Sequence, residues 1–386
     1  MTEVSSTAVQ QPVVIMHIIF SLGIGGAEKL AFDMIASLSR QSFRPIAVCI
    51  GPDGPLGTMF RESGVPLYHR QNIPGQTRNG ILWLREVIAR EKVTVIHAHQ
   101  YNPLYYSLLA ALWTPRLNLV YTEHGRIHPE RFNWKRYFTN PLFALRINHI
   151  VSISGSTRVA MAHYDNLPLR RIEVIHNGID IASLNPQFDQ QQKRRSLGIG
   201  EKSRIIGTAS RLEEIKNLPM MLRGFKRVLE NSPDTVLVIA GQGDQGGGLQ
   251  ALAEELGIAG QVRFLGLRSD LPELFALIEV FLLVSFTEGI SITLLEAMGS
   301  GVPAVVTRVG GNPEVVVEGV TGYFVEVDDD AGLADRVLAL LNDREEAARL
   351  GEAGRERVRE KFSFCSMMES YLRLYRGRNK ERHEVR

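Results

Sequence analysis

Residues 280–303 read VFLLVSFTEGISITLLEAMGSGVP, which divides into a strand, a polar turn and a helix. Residues 280–284 are continuously apolar, with aromatic and β-branched members, and this predicts a buried parallel strand. Apolar residues at helical spacing follow over 294–298, and Gly299 and Gly301 predict the end of that helix. A strand that leads through a turn into a helix is the repeating unit of an α/β fold.

The turn and the helix start carry the side chains of a candidate ligand site. Ser291 or Thr293 is expected to cap the helix, whose free N–H groups leave the carboxyl edge of the sheet, where an anion binds. Glu288 precedes this point and Glu296 follows it. Carboxylates repel phosphate but accept hydrogen bonds from hydroxyl groups, so we predict that one meets ribose and the other a sugar. The alternative is a capped helix with two solvated glutamates.

Composition limits the class of protein. A length of 386 residues suggests two domains, and a formal net charge of +2 argues against a general nucleic-acid surface. The 2 cysteines give no disulfide framework and no CxxC site, which favours a reducing, cytoplasmic location. Residues 1–12 lack the basic start of a signal peptide, and the apolar runs are far shorter than the ~20 residues of a membrane span.

Strand and helix patterns alternate along the chain in two series. The first begins at residue 13 and the second near residue 204, and a polar, glutamine-rich connection over 180–200 separates them. After residue 345 a charged helical tail with an apolar face is expected to run to Arg386. The alternation predicts a doubly wound α/β architecture in both halves.

A glycine-rich turn over 23–28 follows the first predicted strand. Gly25 and Gly26 would let the backbone approach a phosphate or a sugar closely. The turn does not fit the dinucleotide fingerprint, because Glu28 stands where that motif needs a small residue. A nicotinamide oxidoreductase is therefore disfavoured, and a simple tight strand-to-helix turn remains the alternative.

Histidines follow or end two further strands of the first series. His97 and His99 share a strand face, but no third ligand follows at a recognisable spacing, so the sequence predicts no metal site. His124 follows the next strand, in Thr122-Glu123-His124-Gly125. A histidine at the carboxyl edge of such a sheet is well placed to meet a substrate.

Two cations follow the first strand of the second series. Arg211 and Lys216 lie near the predicted start of a helix, a position where acidic residues are normally favoured. Departures from a local preference are most common at functional sites, and two cations at this point would bind a pyrophosphate.

Taken together, these motifs resemble glycosyltransferase family 4, the retaining nucleotide-sugar enzymes of GT-B fold. The match runs in order from about residue 13 to residue 375. Its elements are residues 23–28, 122–125, 176–180 and 241–244, Arg211 with Lys216, and Glu288 with Glu296. The resemblance implies two Rossmann-like domains that face each other across a cleft. These would be 13–185, which includes the acceptor side and receives a crossing helix from 366–386, and the donor-binding 201–365.

By position in the family, Arg211 and Lys216 would hold the donor diphosphate and Glu296 the ribose. Glu288 would meet hydroxyls of the transferred sugar, and His124 would lie by that sugar at the reaction centre. Gly25, Gly26, Ser291 and Ile292 would complete the donor site. Many members have Phe-Gly where this chain has Ile290-Ser291, which leaves the identity of the donor open.

The resemblance implies a metal-independent hexosyltransferase that uses a nucleoside diphosphate sugar as co-substrate, needs no cofactor and retains the anomeric configuration. The acceptor would be a sugar or a lipid-linked saccharide, in cell-surface polysaccharide or glycolipid synthesis. Two alternatives are a nucleotide-sugar epimerase of the same fold and a non-catalytic nucleotide-sugar-binding protein. The presence of all four residues Arg211, Lys216, Glu288 and Glu296 argues against the latter.

Residues 126–138 interleave basic and aromatic side chains directly after Gly125. Such a mixture suits the boundary between lipid headgroups and acyl chains, so a peripheral contact with the inner membrane face is expected. The alternative is an ordinary helix whose aromatic side chains pack on the sheet.

Overall fold

The computed structural model describes residues 12–38, 42–71, 77–112, 114, 116–125 and 132–377. Its first half is a seven-stranded, fully parallel sheet in the order β3-β2-β1-β4-β5-β6-β7. The strands are β1 Val13–Ile19, β2 Phe43–Cys49, β3 Leu67–His69, β4 Val95–His99, β5 Asn118–Glu123, β6 His149–Ser152 and β7 Ile172–Val174. The strands of both sheets are rich in buried apolar side chains, as expected of a sheet covered by helices on both faces.

Helices connect these strands, as parallel pairing requires. They are α1 Gly26–Ser37, α2 Pro55–Glu62, α3 Thr77–Arg90, α4 Tyr101–Ala111, α5 Trp134–Arg146 and α6 Gly155–Asp165. A further helix, α7 (Gln190–Ser196), lies within the connection that the sequence pattern assigned to polar loop. The side chain of Asp189 accepts hydrogen bonds from Gln191 N and Gln192 N and so begins this helix.

The second half is a six-stranded parallel sheet in the order β10-β9-β8-β11-β12-β13. Its strands are β8 Arg204–Ala209, β9 Thr235–Ala240, β10 Val262–Gly266, β11 Val280–Leu283, β12 Ala304–Thr307 and β13 Gly322–Val325. Its helices are α8 Leu218–Asn231, α9 Gly246–Glu255, α10 Leu271–Phe275, α11 Ile292–Gly299, α12 Asn312–Val315 and α13 Asp330–Asn342. The predicted α/β class is confirmed, and β11 with α11 forms the strand, turn and helix expected at 280–303.

The charged tail expected after residue 345 is largely helical up to residue 377, and the rest of it, 378–386, lies outside the described residues. The tail consists of α14 (Arg344–Lys361) and α15 (Phe364–Arg376), because the chain leaves helical geometry at Phe362 and Ser363. Ser363 Oγ accepts a hydrogen bond from Ser366 N at 3.2 Å and begins the second helix. Helix α14 packs against α11, whereas α15 buries Tyr371 and Tyr375 against the first sheet. The domain limits inferred from the sequence remain a prediction.

Both sheets reverse their strand order at one place, between β1 and β4 in the first and between β8 and β11 in the second. In open α/β sheets a ligand binds outside the carboxyl ends of the strands at such a reversal. The fold therefore directs attention to the loops that follow β1, β4, β8 and β11. None of the helices described is long and apolar enough to cross a lipid bilayer.

Candidate active site

Lys216 and Glu288 meet where β8 and β11 end side by side. Lys216 Nζ lies 2.6 Å from Glu288 Oε1, and Ser285 Oγ donates a hydrogen bond to the same oxygen at 2.6 Å. Only 15% of the Lys216 side chain and 8% of the Glu288 side chain are exposed. The structure thus brings Lys216, which is predicted to bind the diphosphate, into direct contact with Glu288, which is predicted to bind the sugar.

Close packing of two turns fixes the backbone that carries Glu288. Gly310 has φ +52°, and a Cβ at this position would collide with the carbonyl oxygen of Glu288. A Cβ at Gly311 would collide with the carbonyl oxygen of Gly289 in the same way. Gly311 N donates to Glu288 O at 3.1 Å. At Gly310 both the backbone conformation and the space exclude a side chain, whereas at Gly311 the space alone does.

Helix α11 begins at the predicted cap. Ser291 Oγ accepts a hydrogen bond from Leu294 N at 3.3 Å, so this hydroxyl already caps the first turn of the helix. Ile292, in the first turn, lies against the glycine-rich loop, where a Cβ on Gly26 would be 3.5 Å from Ile292 Cγ1. The predicted donor residues Gly26, Ser291 and Ile292 are therefore neighbours, although they come from different halves of the chain.

Glu296 lies on α11 and faces α1. Burial raises the pKa of its carboxyl to about 7, while nearby Lys29 lowers it and Asp33 raises it. Lys29 itself pairs with Asp33 one turn further along α1. A carboxyl with such a pKa is poorly solvated, and hydroxyl donors from a ribose would stabilise its ionised form.

Arg211 faces the glycine-rich loop from the second half of the chain. Its Nη1 lies 2.8 Å from Glu213 Oε1, and half of its side chain is exposed. Burial raises the pKa of Glu28, and a backbone hydrogen bond and the charge of Arg211 oppose that rise. Helix α8 begins only at Leu218, so both cations lie before the helix and not in its first turn.

His124 follows β5 and lies opposite the Glu288 turn. A Cβ on Gly125, the next residue, would be 3.7 Å from Gly289 Cα, so the two turns are in contact. Burial lowers the pKa of His124 to about 4, which keeps the imidazole neutral near pH 7. The structure thus brings His124 to the loop that carries Glu288.

Glu314 is a contact between the two halves that the sequence did not predict. Its carboxylate accepts hydrogen bonds from Gly155 N at 2.9 Å and Ser156 N at 3.1 Å, at the N-terminus of α6. His176 Nε2 lies 3.0 Å from the same carboxylate. Burial would raise the pKa of Glu314, but the hydrogen bonds from His176 and the two N–H groups outweigh it and lower the pKa. This carboxylate joins the carboxyl edges of the two sheets.

His17, a third histidine beside His97 and His99, was not predicted from the sequence. His17, on β1, lies beside His97 in the sheet register, and nitrogens of His17, His97 and His99 lie within 4.8 Å of one another. The spacing along the chain could not reveal this, because the sheet order brings β1 next to β4. All three side chains are buried.

The predicted acceptor segment is described only from residue 132 onward, and residues 126–131 lie outside the described residues. Helix α5 exposes Trp134, Phe138, Leu142 and Leu145, with 63, 69, 68 and 80% of their surfaces accessible. These positions share one helical face. The alternative, in which the aromatic side chains pack on the sheet, does not hold for Trp134 and Phe138.

Comparison with protein families agrees with this architecture. Residues 24–183 match the family model described as Glycosyltransferase Family 4, and residues 189–357 match Glycosyl transferases group 1. The N-acetyl-alpha-D-glucosaminyl L-malate synthase of Bacillus anthracis is 30% identical over 300 residues, which cover 76% of this chain and 77% of that protein. A lipopolysaccharide core biosynthesis mannosyltransferase of Rhizobium meliloti is 27% identical over 66% of this chain and 71% of that protein.

Solved structures share the fold. Anabaena HepE, crystallised with UDP and glucose, has a TM-score of 0.83 at 22% identity and covers 93% of this chain and 98% of its own. A sucrose-phosphate synthase from Thermosynechococcus elongatus has a TM-score of 0.78 at 16% identity, over 94% and 98% of the two chains. Two parallel α/β halves with facing carboxyl edges are the GT-B architecture, and with the curated relatives they show that the chain is an enzyme of glycosyltransferase family 4.

Proposed function

We propose that the protein transfers a hexosyl group from a nucleoside diphosphate sugar to an acceptor hydroxyl, with retention of the anomeric configuration. One observation carries this proposal. Arg211 and Lys216 follow β8, and Glu288 and Glu296 follow β11, at the strand reversal of the second sheet, where the loop and helix after β11 contact the glycine-rich loop and the His124 turn. This set matches the charges and hydroxyl groups of a nucleotide sugar.

Each residue has a role that follows from its chemistry. Arg211 and Lys216 would neutralise the charge that develops on the departing diphosphate, in a partly buried site where such charges interact strongly. Glu296 would accept hydrogen bonds from the ribose. Glu288 and His124 would hold hydroxyls of the transferred sugar, because their turns are in contact.

Retention is proposed without a covalent enzyme intermediate. Glu288 Oε1 is paired with Lys216 and Ser285, which makes it a poor nucleophile. The acceptor oxygen would then attack on the face from which the diphosphate departs, as in the family. Anomeric NMR of the first product would test this, because an inverted product would contradict it.

The positive charges of Lys216 and Arg211 at the diphosphate make a divalent cation unnecessary for neutralising the leaving group. Activity should therefore survive EDTA. Complete loss of turnover in EDTA, restored by Mg²⁺ or Mn²⁺, would contradict this part of the proposal.

The donor is best identified by direct screening. A panel of UDP-, GDP- and ADP-sugars, assayed for nucleoside diphosphate release with and without acceptors, should give acceptor-dependent release from one of them. A changed sugar without any acceptor would instead indicate an epimerase. Binding without turnover would indicate a non-catalytic protein.

The acceptor is proposed to be a cell-surface saccharide or a lipid-linked saccharide at the cytoplasmic face of the membrane. The mannosyltransferase of lipopolysaccharide core synthesis among the relatives supports a glycoconjugate acceptor. The exposed apolar face of α5 supports a peripheral membrane contact, because aromatic and aliphatic side chains on one face of a helix partition into the lipid interface.

A further inference from the structure

Three histidines form a continuous hydrogen-bonded chain that ends at the candidate active site. His17 Nδ1 lies 3.0 Å from His99 Nε2, and His99 Nδ1 lies 2.9 Å from His124 Nε2. The rings of neighbouring members are stacked, with centroids 5.4 Å and 5.2 Å apart. The chain runs from the core of the first sheet, where His17 is fully buried, to the carboxyl edge.

The two outer nitrogens of this chain, His17 Nε2 and His124 Nδ1, are buried without a hydrogen-bond partner in the part of the protein that the structure describes. A neutral imidazole has one donor and one acceptor nitrogen. The chain therefore has only two consistent proton arrangements. Either every ring carries its proton on Nδ1, or every ring carries it on Nε2.

The two arrangements differ in where an unpaired N–H is left. With all protons on Nε2, the unpaired donor is His17 Nε2–H, in the core of the sheet. With all protons on Nδ1, the unpaired donor is His124 Nδ1–H, at the edge where a substrate arrives. A buried donor without an acceptor is costly, and only the second arrangement leaves this donor on the partly exposed His124, where a water molecule or any bound ligand can accept from it.

We propose that His17 and His99 are positioning residues that hold His124 as its Nδ1–H tautomer, so that His124 presents a neutral hydrogen-bond donor to an oxygen of the bound donor sugar. The role at the sugar rests on the proposed function, whereas the tautomer does not. In this form neither nitrogen of His124 has a free lone pair, since Nε2 accepts from His99. His124 then orients substrate and does not act as a base.

Burial lowers the pKa of His17 to about 3 and lowers those of His97 and His99 well below the usual value, which agrees with neutral rings throughout. A metal ion is a poorer explanation of the cluster. The nitrogens of His97 are bonded to the hydroxyls of Tyr375 at 2.7 Å and Thr122 at 2.8 Å. A zinc ion would have to displace these hydrogen bonds and those that link His17, His99 and His124.

The test is a tautomer measurement by ¹⁵N NMR on the full chain labelled with [¹⁵N]histidine, without ligand, at pH 7. The signals of His124 should show a protonated Nδ1 and a bare Nε2. A protonated Nε2 on His124 in the wild-type protein would overturn the proposal, and this measurement needs no variant to fold.

Two variants of His17 separate positioning from packing. His17→Met removes the donor to His99 at similar volume, and should leave His124 as a mixture of tautomers with kcat lowered about three- to tenfold, the value of about one hydrogen bond. In His17→Asn the amide can place an N–H where Nδ1 stood, and should restore the wild-type tautomer. The exposed His163→Asn is the matched control.

An unchanged His124 tautomer in His17→Met would overturn the proposal. So would the finding that the wild-type protein binds one zinc ion per molecule and that His17→Met does not. The NMR result does not depend on activity. If His124 carries its proton on Nδ1 but no nucleoside diphosphate sugar is turned over, then the proposed function fails and the tautomer assignment stands.

Discussion

Lys216 and Glu288 form an ion pair between two neighbouring loops of the second sheet, with Nζ 2.6 Å from Oε1. Lys216 thus has a carboxylate partner within the chain and, by our proposal, a diphosphate partner in the donor. We expect donor binding to draw the ammonium toward the diphosphate. The Glu288 carboxylate would then be released to accept hydrogen bonds from the sugar, so that the sugar contact forms only when the diphosphate is in place.

The first prediction concerns the two cations. Lys216→Ala and Arg211→Ala should each cost about 2–4 kcal/mol of transition-state stabilisation, which lowers kcat/KM about thirty- to a thousandfold. Steady-state kinetics with the identified donor measure this. Lys226→Ala, an exposed cation on α8, is the control and should leave the rate unchanged.

Loss of Lys216 also leaves Glu288 as a buried charge with one fewer partner, which destabilises the fold. The double variant Lys216→Ala with Glu288→Gln should recover thermal stability but not activity. If folded Lys216→Ala or Arg211→Ala retained more than half of the wild-type rate, the diphosphate assignment would be wrong.

The two glutamates should respond differently to neutralisation. Glu296→Gln should mainly weaken binding of the free nucleoside diphosphate, because ribose contacts are present in the ground state and the transition state alike. Glu288→Gln should mainly lower kcat, because the sugar is the group that changes. Calorimetric titration of the nucleotide against both variants decides the matter, and equal losses of affinity would contradict the assignment.

The raised pKa of Glu296 predicts a pH dependence of nucleotide binding. Near pH 6 most of this carboxyl is protonated, and near pH 8 most of it is ionised, given a pKa of about 7. The ionised form accepts hydroxyl hydrogen bonds more strongly, so affinity should rise up to about tenfold over this range.

Glu296→Gln is the control for that experiment, since it keeps the titration of the nucleotide phosphate and removes that of the side chain. The affinity of the variant should change less with pH than that of the wild-type protein. Parallel curves would show that Glu296 does not titrate in the complex or does not contact the ribose.

The site residues predicted from the sequence share one property, which is that each prediction rests on a local sequence pattern. Glu288, Ser291 and Glu296 fall within a single strand, turn and helix, whose pattern and caps can be recognised without knowing the rest of the fold. The same holds for His124, which directly follows β5, and for Arg211 and Lys216, which lie in the loop after β8. Parallel strands bring such positions to one edge.

The residues that were missed depend on which strands are neighbours. His17 is buried beside His97 only because β1 pairs with β4, and Glu314 reaches the N-terminus of α6 only because the two sheets face each other. Neither contact corresponds to a recognisable spacing of residues along the sequence. The start of α15 is by contrast a local feature: the sequence predicted a separate helix from residue 366, and the helix begins at Phe364 with Ser363 as its cap.

Glu314 should stabilise the contact between the two halves in a pH-dependent way. Its pKa is lowered in the folded protein, so its contribution is present above the ordinary value of 4.5 and is lost as the pH falls through the folded value. Glu314→Gln should therefore lower stability by about 1–2 kcal/mol at pH 7. Denaturant unfolding at pH 7 and at pH 3.5 compares the two proteins, and a difference that persists undiminished at low pH would contradict this account.

The last prediction concerns the exposed face of α5, which we define by Trp134, Phe138, Leu142 and Leu145. If this face enters the lipid interface, the wild-type protein should sediment with anionic vesicles at low salt. The double variant Phe138→Ser with Leu142→Ser should remain in the supernatant, because each buried side chain contributes about 1.5–3 kcal/mol of apolar transfer energy. Val159→Ser, on an exposed position of α6, is the matched control and should sediment like the wild type.

Salt separates the two contributions to that binding. Attraction of Lys135 and neighbouring basic residues to the anionic surface amounts to about 1 kcal/mol per residue and is screened as salt rises, whereas the apolar contribution is not. Partial release at moderate salt is therefore expected, and Lys135→Glu should weaken sedimentation mainly at low salt. If the wild-type protein stays in the supernatant even at low salt, the face of α5 does not bind membrane and the acceptor is to be sought among soluble saccharides.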